Sequence, residues 1–174
     1  MKLIRTIVNK TMMLLRENVA VGNQTGLRIW KGLVCDKESK IQVGNISVRD
    51  NCHIESKNGG TIKMGNGVNF NYNCTVVCHD IIQMGDYISI GPNVMIYDHD
   101  HDYKDENWRK KFTTEKVSIG NNVWIGGNVI ILKGTTIGNN CVIAAGTILA
   151  NRTIPDNSIV YNKTNLVIKE IQKN

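Results

Sequence analysis

Aromatic residues make up only 6% of the 174-residue chain and proline occurs twice, so its 41% hydrophobic content falls mainly on isoleucine and valine spread evenly along the length. Apolar content of that kind favours strands over helices. The five cysteines, Cys35, Cys52, Cys74, Cys78 and Cys141, are odd in number and include no Cys-x-x-Cys pair. That argues against a disulfide framework and a zinc knuckle, and for a reducing, cytoplasmic setting. No long apolar run opens the chain, because Lys2, Arg5, Lys10 and Arg16 break up the first sixteen residues. A signal core or a membrane span there is excluded. Leu3, Ile7, Leu14 and Leu15 still fall near one face at helical spacing, which predicts a short N-terminal helix or arm over one end of the domain. Its basic residues would also suit peripheral contact with an anionic membrane. The net charge of +6 is dispersed and lacks interleaved aromatics, so it marks no nucleic-acid face and is accounted for by an acidic cofactor.

What the chain does contain is a six-residue period. Aliphatic residues recur at Ile119, Ile125, Ile131, Ile137, Ile143 and Leu149 without a miss, with small or β-branched residues four positions after the first five. The same phase holds at Val48 and Ile54, at Met64, Phe70 and Val76, and at Met84, Ile90 and Ile96. Offsets of ten and eight between those groups predict corner bulges near Lys57 to Thr61 and Cys78 to Ile82. A period of six suits neither an α-helix nor a hairpin sheet. It needs a short strand and a turn repeated in one sense, three of which close a triangular coil whose apolar faces are buried only against neighbouring coils.

Between Ile96 and Val117 the period stops, and the polar segment YDHDHDYKDENWRKKFTTEK must project as a loop. It begins with Asp98-His99-Asp100-His101, and loops on rigid scaffolds are preferred places for chemistry. A neutral imidazole suits removal of a proton from an attacking alcohol near neutral pH. In an extended segment His99 and His101 share a face, so spacing alone leaves both as candidates, with Asp98, Asp100 or a backbone carbonyl free to hold the tautomer.

From about Val43 to Pro155, and above all in VSIGNNVWIGGNVIILKGTTIGNNCVIAAGTI, the chain resembles the hexapeptide-repeat acyltransferases, and among them the maltose, galactoside and polysaccharide O-acetyltransferases. The resemblance implies an all-β, single-domain chain. Residues 1–40 would form the N-terminal arm and first strands, 41–155 a left-handed parallel β-helix with a projecting loop at about 98–117, and 156–174 a tail with a short element over Asn165–Gln172. It further implies an acetyl-CoA-dependent O-acetyltransferase of polysaccharide biosynthesis, acting on a sugar hydroxyl by direct transfer without a bound metal, in a homotrimer with sites between subunits.

Matching Asn93-Val94-Met95-Ile96-Tyr97 to the family strand before the catalytic histidine puts the base on His101. Asn71, in Phe70-Asn71-Tyr72-Asn73, matches the acceptor-binding asparagine. Cys78-His79-Asp80 stands where the family has an acidic residue, which brings His79 and Asp80 to the acceptor side with Asp98 and His99. Trp124 matches the Val-Trp-Ile-Gly tryptophan beside the donor site. Gly127 and Ala145, flanked by Gly126 and Ala144, match positions whose backbone holds the pantetheine arm, and a backbone N–H near Gly127 or Trp124 would steady the oxyanion. The family's terminal Thr-Lys and Gly-Asn-Pro motifs are absent, so contacts to the donor phosphates pass to Arg152, Lys163 or Lys169. Three other readings stay open: N-acetylation of an amino sugar, a non-catalytic solenoid, and a γ-carbonic-anhydrase-like zinc hydratase using His99, His101 and His79 or His53.

Overall fold

The computed structural model describes residues 19–21, 26–27 and 32–163. The N-terminal helix expected over the first sixteen residues, Lys169 and the element expected at Asn165–Gln172 lie outside the described residues.

Short parallel strands stack into a three-faced solenoid, with seven on each of two faces and six on the third. The first face includes Lys40–Val43, Thr61–Met64, Ile81–Met84 and Val117–Ile119; the second Ile46–Val48, Val68–Phe70, Ser89–Ile90, Trp124–Ile125 and Val142–Ile143; the third His53–Ser56, Thr75–Cys78, Met95–Tyr97, Ile130–Ile131 and Ile148–Leu149. No helix occurs among the described residues, and the parallel winding accords with the left-handed β-helix that the family resemblance implies. The solenoid outruns the expected limits of 41–155 at both ends. Val19–Val21 pairs with the strand at 41–43, and Ile159–Val160 pairs with Val142–Ile143.

Hexad side chains fill the core as their period requires: Ile125, Ile131 and Ile143 are fully buried, and Ile137 is 1% exposed. Each coil turns on residues that tolerate a left-handed backbone. Nine of the ten non-glycine residues with positive φ among the described residues are asparagines, the side chain best suited to that region after glycine. At the corner between the second and third faces, the Asn73 amide donates to Asn93 at 3.2 Å and the Asn93 amide to Asn128 at 3.1 Å. The two expected bulges fall at the corner between the third and first faces. Asn58 and Gly59 turn with φ of 56° and 81°, and His79-Asp80 forms the shorter bend.

The three faces differ in their outward residues. The first presents Gln42, Lys63, Gln83, Ser118, Thr136 and Thr153 in register. Outward on the third stand Thr75, Met95, Ile130 and Ile148, an apolar row that ends in Ile148 at 57% exposure.

Candidate active site

The segment that interrupts the hexads leaves the solenoid between Tyr97 and Val117, at the corner from the third face to the first. It is a hairpin, not an irregular loop. His99–His101 pairs antiparallel with Phe112–Thr114, so His101 stands opposite Phe112 and His99 opposite Thr114. The outer side of the hairpin is clamped by Lys133 from the next coil, whose Nζ lies 3.3 Å from Asp100 and donates to the Thr113 hydroxyl at 2.6 Å.

His101 is exposed, and its Nδ1 lies 2.9 Å from the carbonyl oxygen of Trp108. A carbonyl only accepts, so Nδ1 carries a proton, and in the neutral ring this makes Nε2 the acceptor. The imidazole is flanked by the Phe112 and Trp108 rings, with centroids 4.7 and 5.6 Å away. Of the three possible partners for His101, the backbone carbonyl is the one in place.

Asp98 is fully buried and takes a different role from the acceptor contact expected of it. Its carboxylate accepts the backbone N–H groups of His79 at 2.9 Å and Asp80 at 2.8 Å, the Cys78 thiol at 3.1 Å and the His99 Nδ1 at 3.0 Å. Burial works against its charge, but the hydrogen bonds from His99, the His79 N–H and Cys78 prevail and hold the carboxyl below its ordinary range. Burial, reinforced by the Asp98 charge, pushes the Cys78 thiol up to about 12. Burial and then the neighbouring His99 lower His79, whose ring stacks on that of His99. Thus Asp98, His99, His79 and Asp80 gather at the foot of the hairpin. No group of three or more His, Cys, Asp or Glu able to hold a metal occurs among the described residues.

Asn71 and Trp124 lie elsewhere and together. They line a hollow of about 360 Å³ on the second face, with Arg49, Asn69, Ser89 and Gly91. Asn71 makes the turn contact of a corner asparagine, its side-chain oxygen accepting the Tyr72 N–H at 2.9 Å. Trp124 is 60% exposed, so the hairpin does not cover it. Its N–H donates to the Cys141 carbonyl and is not free for an oxyanion. The Gly127 N–H, by contrast, donates to no group among the described residues. Gly91, Gly126, Gly127, Ala144 and Ala145 continue the Asn71 corner through successive coils. Arg152 sits at the corner below the hairpin, and Lys163 at the far end of the Asn71 corner.

None of the hairpin's hydrogen bonds, ion pairs or ring contacts among the described residues reaches Asn71, Trp124 or Gly127. The third face separates the two groups within one chain. Arg49, Phe112, Trp108 and Lys133 escaped the sequence reading. The signal for two of them was present, since Trp108 and Phe112 are conspicuous in a polar segment of a chain with three tryptophans and two phenylalanines. Arg49 is braced on Tyr72, 3.2 Å from its hydroxyl and 5.3 Å from its ring centroid, a relation across 23 residues that no local pattern shows.

Residues 116–151 match the model of the bacterial transferase hexapeptide, six repeats. A galactoside O-acetyltransferase of Lactococcus lactis is 35% identical over 130 residues, 71% of this chain and 62% of that protein. Among solved structures, a maltose O-acetyltransferase from Clostridium difficile 630 is 31% identical, with a TM-score of 0.51 over 94% of this chain and 76% of that one. A galactoside acetyltransferase in complex with coenzyme A is 28% identical, with a TM-score of 0.55 over 87% of this chain and 65% of that one. The chain spans little more than half the length of the curated relatives it matches. The hexads of residues 116–151, the coil they build and the likeness to the maltose enzyme over most of both chains agree: this chain belongs to the hexapeptide-repeat transferases.

Proposed function

We propose that the protein is an acetyl-CoA-dependent O-acetyltransferase whose acceptor is a saccharide hydroxyl and whose base is His101. The observation that carries this reading is the hydrogen bond from His101 Nδ1 to the Trp108 carbonyl, which leaves Nε2 ready to take a proton. The acceptor oxygen then attacks the thioester carbonyl carbon while its proton passes to Nε2. The tetrahedral oxyanion is met by the Gly127 N–H, and its collapse expels the coenzyme A thiolate, which takes up the proton from the imidazolium. No acetyl-enzyme forms.

The donor runs along the Asn71 corner. Gly127 and Ala145 border the pantetheine arm, Trp124 stands beside the thioester, and Lys163 lies toward the phosphates; that the related galactoside enzyme is known in complex with coenzyme A supports the choice of donor. Arg152, on another corner, would reach those phosphates only from a neighbouring copy. Asn71 and the adjoining hollow take the acceptor.

Because the base and this corner lie on opposite edges of the third face, one chain holds half a site at each edge. A homotrimer supplies the other half, with the apolar row Met95, Ile130 and Ile148 as the face that associates. The reading is tested by following acetyl-CoA consumption against a panel of neutral, acidic and amino sugars and polysaccharide fragments. Transfer to a hydroxyl is the expected result. Transfer only to an amine would move the chain to N-acetylation, and no transfer with no thermal shift from acetyl-CoA would favour a non-catalytic solenoid.

A further inference from the structure

His99 stands two residues before His101 on the same hairpin strand, so both imidazoles project from one face. Their surroundings are opposite. The His99 side chain is 13% exposed, its Nδ1 is 3.0 Å from Asp98 Oδ1, and its ring lies on that of His79 with centroids 3.7 Å apart and planes 7° apart. Phe112 stands edge-on to both rings, 4.5 Å from His79 and 5.4 Å from His99. Phe112 also carries the tilted ring of His101 at 4.7 Å. Contacts therefore run unbroken from the buried Asp98 carboxylate through the paired imidazoles to Phe112 and on to the base.

We infer that His99 is a positioning residue for His101, acting through Phe112, and not a second base or an acceptor contact. One hydrogen bond to a carbonyl leaves an exposed imidazole free to swing about it. A second, rigid contact against the ring is needed to fix its plane, and the Phe112 face supplies it. Phe112 in turn cannot tilt while His99 and His79 fill the space behind it, and His99 cannot turn while Asp98 holds its Nδ1. The Asp98 bond takes up His99 Nδ1, the stack on His79 covers one face of its ring, and the side chain is 13% exposed, so His99 is withdrawn from the surface where an acceptor would lie. Lys133 holds the other side of the hairpin through Asp100 and Thr113, and leaves the plane of the base to this stack.

This inference rests on His101 being the base, but its test does not depend on turnover. Long-range ¹H–¹⁵N spectra of the full chain report which His101 ring nitrogen is protonated. The wild type should show the Nδ1–H form. In His99→Ala the signal should shift toward a mixture of the two tautomers. With p-nitrophenyl β-galactoside as acceptor, kcat should fall about 10–100-fold, the scale of a displaced catalytic group, with both KM values within about twofold of wild type. Phe112→Ala, a change on the projecting hairpin, should give the same two shifts and serves if His99→Ala does not fold. His79→Phe keeps the stack and should retain the wild-type spectrum. A wild-type His101 spectrum in folded His99→Ala or Phe112→Ala overturns the inference. Full turnover in His101→Ala beside a shifted spectrum in His99→Ala would instead remove the base and leave the positioning intact.

Discussion

Gly126 passes so close to Ala145 in the next coil that a Cβ at position 126 would stand 2.6 Å from the Ala145 nitrogen. At Gly127 the nearest atom to such a Cβ would be the Pro92 ring, at 3.3 Å. Two adjacent glycines of one motif thus stand in different surroundings, the first against the main chain of the next coil and the second against a side-chain ring that can give by a few tenths of an ångström. Gly126→Ala should lower unfolding stability in urea by about 1–3 kcal/mol, as overpacking does. Gly127→Ala should stay within about 1 kcal/mol of wild type and raise the KM for acetyl-CoA. Equal stability losses in the two variants would show that both glycines serve packing alone.

Asp98 makes stability depend on pH with a definite sign. Its folded pKa lies below the unfolded carboxylate value, so the unfolded state binds the proton more readily and the contribution is complete above the unfolded value. That contribution disappears as pH falls through the lowered folded value. Asp98→Asn should destabilise the protein at pH 7 and should flatten the loss of stability between about pH 5 and pH 2. Urea midpoints of both proteins across that range measure it. Parallel curves would show that the buried carboxylate is not the group responsible.

Sites shared between copies can be exposed by mixing. His101→Ala and a blocked corner, Gly127→Val, should each abolish transfer, and unfolding and refolding them together in equal amounts should recover about a quarter of wild-type activity. Each site then draws its histidine and its corner from two independently assorted chains. Ile148→Glu, which places a charge in the apolar row of the third face, should shift the protein to monomer by light scattering and remove activity along with the trimer. A mixture as inactive as its parents would place both halves of the site in one chain.

Much of the fold was legible because every sixth side chain in a three-faced coil must face the same axis. Ile119, Ile131 and Leu149, placed by period, are all within 4% of complete burial. The length and position of the projecting segment followed from where that period stops. Its inner order did not, because the pairing of His101 with Phe112 is an antiparallel register and the partner of Nδ1 is a main-chain oxygen that any residue at 108 would offer. Asp98 misled for a related reason. An aspartate in a polar run reads as exposed, yet two N–H groups of the corner one coil earlier, at His79 and Asp80, converge on it across 19 and 18 residues. Asn71 and Trp124 were assigned by likeness alone, and the separation of their hollow from His101 within the chain became visible only when the coil was closed.

The most direct test is the turnover of purified His101→Ala, measured as acetyl transfer from acetyl-CoA at saturating acceptor and compared with wild type of equal melting temperature. A loss of about 10²–10⁴ in kcat is the expected result, the usual contribution of a general base. A folded variant that turns over within about twofold of wild type would contradict the assignment of the imidazole on the hairpin as the group that takes the acceptor's proton.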